Sequence, residues 1–108
     1  METSTNFNTI GGPSSFKGEL NAVGDTIIYG HGEGHFHIQN GTLTIEREAN
    51  VNGHIEAENV EILGRFEGKI IATGRVILRS GAWVEANIQA KDLVIYPGAQ
   101  ANLKADSL

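Results

Sequence analysis

Residues 51–57 read Val51-Asn-Gly-His-Ile-Glu-Ala57, and residues 66–72 read Phe66-Glu-Gly-Lys-Ile-Ile-Ala72. In both, a large apolar residue is followed at two-residue steps by glycine, isoleucine and alanine, with mostly polar residues between. Alternation of period two marks a strand with one buried face. The phrase recurs as Phe16-Lys-Gly-Glu-Leu-Asn-Ala22, Gly32-Glu-Gly-His-Phe-His-Ile38, Val84-Glu-Ala-Asn-Ile-Gln-Ala90 and Ala101-Asn-Leu-Lys-Ala105. Its tiny column is Gly18, Gly34, Gly53, Gly68, Ala86 and Ala101, and its large column is Leu20, Phe36, Ile55, Ile70, Ile88 and Leu103. The glycines are expected at inward positions where a side chain would not fit.

Between these segments run two further columns. Ile27, Leu43, Val60, Val76 and Leu93 form one, and Tyr29, Ile45, Ile62, Leu78 and Ile95 form the next. Corners are expected at Gly30, Ala49, Gly64, Gly81-Ala82 and Gly98-Ala99, with one sizeable insert from about Gly30 to Gly41. A period near 17 with two or more short strands per repeat predicts a β-solenoid. The expected fold is all-β: a single-stranded parallel β-helix of about six rungs, each 15–19 residues long. Rungs ~4.8 Å apart would make a rod ~30 Å long. Apolar spacing nowhere follows a helical period for three turns.

The 108 residues, 40% hydrophobic, predict one domain. Residues 1–8 read as a polar, disordered N-terminal tail, 9–105 as the β-helix core and 106–108 as a short C-terminal tail. With no cysteine, a disulfide scaffold, a thiolate metal site and a cysteine nucleophile are excluded. The net charge of -5 argues against a nucleic-acid partner, which demands cations to displace phosphate counterions. No apolar run approaches the ~20 residues that span a bilayer.

Thr9-Ile-Gly-Gly-Pro-Ser-Ser-Phe-Lys-Gly-Glu-Leu20, Leu63-Gly-Arg-Phe-Glu-Gly-Lys-Ile70 and Leu93-Val-Ile-Tyr-Pro-Gly-Ala99 resemble the opening, middle and closing rungs of the bactofilin core. The likeness covers about residues 9 to 105. It implies a right-handed, three-sided β-helix that polymerises end to end into nonpolar filaments without nucleotide. It also implies a bacterial, cytoplasmic scaffold for cell shape or cell-wall machinery, with wall-modifying enzymes or the inner face of the cytoplasmic membrane as partners. Two departures stand out. Gly32 occupies a column held elsewhere by Phe16, Val51, Phe66 and Val84, and residues 1–8 lack the family's aromatic and basic membrane-targeting tail. With no Lys or Arg before Lys17, attraction to anionic lipid is missing.

Assembly also follows from physics. A solenoid exposes a slice of its core and unpaired strand edges at both ends, and this sequence shows no capping segment. Ile10, Phe16 and Leu20 at one end, and Leu93, Ile95, Leu103 and Leu108 at the other, are the expected polymer interface, with the chain itself as partner. Ile28, Ile77 and Val94 interrupt the polar outer positions and, with Trp83, form an expected lateral or partner surface.

Catalytic and cofactor residues are not expected. His35 and His54 should stack on adjacent rungs, with His37 beside Glu56, a cluster that admits a divalent metal but reads first as a solvated face. Gly30-His-Gly-Glu-Gly34 lacks the following helix that a phosphate loop requires, so no nucleotide is expected. The alternatives are a small β-helix acyltransferase, disfavoured by the absence of a strict sixfold period, and a metal-binding solenoid that does not polymerise.

Overall fold

The computed structural model describes residues 7–10 and 15–107, with side chains from Lys17 to Lys104. The chain alternates between short and long strands. The short ones are β1 (Phe7–Ile10), β3 (Asp25–Ile28), β5 (Thr42–Ile45), β7 (Asn59–Ile62), β9 (Arg75–Leu78) and β11 (Asp92–Ile95). The long ones are β2 (Ser15–Val23), β4 (His31–Gln39), β6 (Asn50–Ala57), β8 (Arg65–Ala72), β10 (Trp83–Ala90) and β12 (Gln100–Ser107). Each set stacks in order into a six-stranded sheet, and every pairing is parallel. Each circuit of the chain therefore adds one strand to each sheet, which is the β-solenoid expected from the repeat. No helix occurs among the described residues.

The core fills the space between the sheets. Phe36, Ile55, Ile70 and Ile88 stand in register on successive long strands and are almost fully buried. Ile28, Ile45, Ile62 and Leu78 do the same on the short strands. Each such side chain removed from water stabilises the fold by roughly 1.5–3 kcal/mol, and all belong to one continuous cluster. A lone rung has nothing to bury its side chains against, so neighbouring rungs create the core together.

The glycine column has a different origin from the one expected. Gly34, Gly53 and Gly68 are not sealed in the interior; they are partly exposed, at φ of +132°, +126° and +141°. A Cβ on Gly53 would stand 2.0 Å from the carbonyl oxygen of Gly34 in the rung below, and the same clash repeats at Gly34 and Gly68. What forbids a side chain is the neighbouring backbone, in a conformation that L-residues rarely adopt. Ala86 continues the column in register with Gly68 without a positive φ, so its Cβ is accommodated.

Gly32 is the exception in a column of large residues, and Phe36 explains it. A Cβ at Gly32 would meet the Phe36 ring at 2.9 Å. The ring of one column has filled the hole left in the next, so residues 31–39 form a regular strand and not the insert that the glycine-rich stretch suggested.

Corner lengths vary, and side chains repair the ladder where they do. Two-residue corners at Asn40-Gly41 and Thr73-Gly74 displace the amides that open β5 and β9. Thr42 N–H donates to Asp25 Oδ1 and Arg75 N–H to Asn59 Oδ1, both at 2.9 Å. At the opposite corner, Gly64 lies over the turn of residues 46–49, where a Cβ would stand 2.2 Å from the Glu46 carbonyl oxygen.

Two register expectations are corrected. In β3 the inward residues are Thr26 and Ile28, both 0% exposed, which pair with Leu43 and Ile45. Ile28 is therefore core and not a contact surface, while Ile27 and Tyr29 take outward places. Two adjacent isoleucines leave the alternation ambiguous, and a one-residue slip exchanges the faces. Thr26 tolerates burial because its hydroxyl donates to the Gly24 carbonyl at 3.2 Å. In the last rung, Leu103 pairs with Ala86 and Ala105 with Ile88, two residues away from the expected alignment.

Two outcomes follow. Gly53→Ala should cost about 3 kcal/mol or more in urea unfolding, through combined strain and overlap. Ala86→Gly in the same column should cost no more than about 1 kcal/mol; equal costs would refute the backbone-contact account. In a double-mutant cycle, Gly32→Val and Phe36→Ile should each destabilise by roughly 1–3 kcal/mol. Their combination should cost clearly less than the sum, and strict additivity would show that the two positions do not share one space.

Candidate functional surfaces

β1 and β2 close one end of the stack, and β11 and β12 close the other. Each of these strands has a neighbour on one side only among the described residues, whereas every inner strand has two. Their outer backbone edges are templates for a further strand. The core column ends just as abruptly. Leu78 is 0% exposed, but its register partner Ile95 is 49% exposed because no rung among the described residues covers it. Leu93 is likewise only half-buried above a fully buried Val76, and Leu103 packs partly against the core.

At the other end, Leu20 is half-buried against the same core. Ile10 and Phe16 lie on the terminal strands, in register with Ile28 and Gly32. Their side chains, and Leu108 altogether, lie outside the described residues. Three exposed apolar side chains are not evident from the sequence: Val23, Tyr29 and Tyr96. Tyr29 is concealed by the slip in β3, and Tyr96 follows the last short strand, where no further repeat discloses its orientation.

The outer face of the short-strand sheet carries alternating outward residues. On β9 and β11 these are Arg75 over Asp92 and Ile77 over Val94, continued past the strand ends by Arg79 and Tyr96. Ile77 and Val94 are register partners and both are half-buried. On one side Arg75 Nη2 stands 3.9 Å from Asp92 Oδ2. On the other, Arg79 Nε donates to Glu61 Oε2 at 2.5 Å, and its guanidinium lies 4.9 Å from the Tyr96 ring centroid. The bond to Glu61, then the charge of that carboxylate, holds the Arg79 pKa above its ordinary value, so the guanidinium is a fixed cation. Trp83 lies elsewhere, on the long-strand sheet, where the Arg65 guanidinium covers its ring at 4.2 Å.

The histidines follow the stacking rule. His35 and His54 are register partners with ring centroids 4.9 Å apart. His37 Nε2 stands 3.9 Å from Glu56 Oε1, and both are about half exposed. Among the described residues, no three His, Asp or Glu side chains converge in a way that could hold a metal ion. No helix among them is long and apolar enough to cross a membrane.

The repeat has a counterpart among known proteins. The bactofilin family model, described as polymer-forming cytoskeletal, matches residues 8–105. Bactofilin BacO of Myxococcus xanthus (strain DK1622) is 34% identical over 90 residues, which cover 83% of this chain and 71% of that protein. No solved structure matches. With nearly the whole solenoid spanned by that family model, the chain belongs to the bactofilins, a polymer-forming cytoskeletal family.

Proposed function

We propose that this protein is the subunit of a filament that grows by continuing its own rung stacking across subunit ends, without nucleotide, and that the filament scaffolds cell-shape or cell-wall machinery. The observation that carries the reading is the interrupted column at Ile95. The residue below it in register is completely buried, and Ile95 itself is half open to water. A terminal rung of a second copy would cover Ile95, Leu93 and Leu103 while pairing the free edges of β11 and β12. Burying such side chains stabilises by roughly 1.5–3 kcal/mol each, and edge pairing adds directional hydrogen bonds. The expected end contacts at Ile10, Phe16, Leu20 and Leu108 belong to the same proposal.

Family membership supports self-association, and the structural role assigned to the family accords with a scaffold and not a catalyst. Cell-wall enzymes or the inner membrane surface would be recruited along the outer faces, which polymerisation leaves free.

Ile95→Arg tests the reading. The side chain is exposed, so the variant should keep its β-sheet circular dichroism and cooperative unfolding. Negative-stain microscopy without nucleotide should show filaments for the wild type and none for the variant. Unchanged filaments from Ile95→Arg would remove the C-terminal rung from the interface, and a wild type that stays monomeric by light scattering would overturn the polymer.

A further inference from the structure

The outer face of β9 and β11 is complementary to itself. Take a two-fold axis that runs parallel to the strands, midway between β9 and β11, just outside the sheet. It lays β9 of one copy over β11 of a second while keeping each position along the strand in place. Arg75 then faces Asp92, Ile77 faces Val94, and Arg79 faces Tyr96, each pair occurring twice. The three matches are ionic, apolar and cation–π, and all come from residues already in register within one chain. Aligned packing of two sheet faces is an ordinary mode of β-sheet association, with the faces ~10 Å apart.

We propose that this face is a lateral contact between two copies of the chain running in opposite directions along the rod axis. The partner is a second copy because the opposite charges fall in adjacent rungs of one column. The same operation on the neighbouring pair, β7 and β9, would place Asn59 over Arg75 and Glu61 over Ile77, with no such match. On β3 and β5 it would place Asp25 over Thr42 and Ile27 over Thr44, which is equally uninformative. Neither of these pairs matches itself as β9 and β11 do, and β5 with β7, which would place Thr42 over Asn59 and Thr44 over Glu61, offers no opposite charges either.

One such patch spans only two rungs and three columns, far below the ~800 Å² per partner of a standard stable interface. Its strength rests on the end-to-end reading, since a filament repeats the contact along its length and multiplies it by avidity. Lateral pairing would then follow polymerisation and would leave the long-strand faces, with His35, His54 and Trp83, pointing away from the seam.

The absence of native cysteine makes a direct test available. Ile77→Cys, treated with a short bismaleimide, should give a covalent dimer, whereas Glu85→Cys on the long-strand sheet should not. Adding Arg75→Asp or Asp92→Arg to Ile77→Cys should abolish the dimer, because like charges then face one another twice. Mixing the two charge variants, each assembled separately, should restore it. One copy then carries carboxylates at both positions and the other guanidiniums at both, so opposite charges meet again across the seam. Both sites are more than half exposed, and thermal unfolding of each variant should match its Ile77→Cys parent. A dimer that survives either charge change, fails to return on mixing, or never forms from Ile77→Cys overturns the proposal. Filaments are scored separately by microscopy, so loss of the lateral contact with filaments intact is distinct from failure of end-to-end assembly.

Discussion

The in-register parallel ladder between successive rungs is the interaction on which the rest depends. It fixes the spacing at ~4.8 Å, and so it decides which residues in a column can coexist. At Gly34, Gly53 and Gly68 the backbones approach so closely that a Cβ would strike a carbonyl of the rung below. At Gly32 the ladder allows a missing side chain only because Phe36 extends into the space. Where a corner gains a residue, Asp25 and Asn59 supply the acceptor that keeps the ladder going. Side-chain chemistry here is largely subordinate to stacking distance.

Much of this is legible in the sequence because repetition averages over local noise. Repetition of one phrase places Ile55, Ile70 and Ile88 in one column even though the spacings between neighbours vary from 15 to 19 residues. The failures lie where the averaging weakens. Thr26-Ile27-Ile28-Tyr29 offers two alternations, and hydropathy favours the wrong one because the buried residue of the first pair is a threonine. The last rung resists alignment for a different reason. Leu103 stands above Ala86, in a column that is glycine in four earlier rungs, because from Ala86 onward the column has left the positive-φ conformation that brings the glycine backbones so close.

The contact face is the least legible part. Ile77 and Val94 are visible as apolar interruptions, but their ionic frame is not, since Arg75 and Asp92 are 17 residues apart and become neighbours only through the ladder. Charge complementarity between rungs is a property of register, and register has to be known to the residue before signs can be matched. The histidine pair, by contrast, can be read directly because it sits beside the glycine column that anchors the alignment.

A solenoid therefore separates two kinds of contact by geometry. The proposed growth along the axis would use what every rung possesses, an edge and a slice of core. It would require that a second copy reach the last described rung, where Ile95 is open to water. Lateral contact uses what the repeat leaves free, the outward residues, which no stacking rule constrains. Those positions vary from rung to rung: Asp25, Thr42, Asn59, Arg75 and Asp92 share one column with little chemistry in common. A specific lateral seam can arise only where neighbouring rungs happen to carry opposite partners at every position. β9 and β11 meet that condition, and they also lie at the end where the axial column is open. If both proposed contacts form, axial and lateral contacts share a boundary at β11, and that strand would serve both directions of assembly.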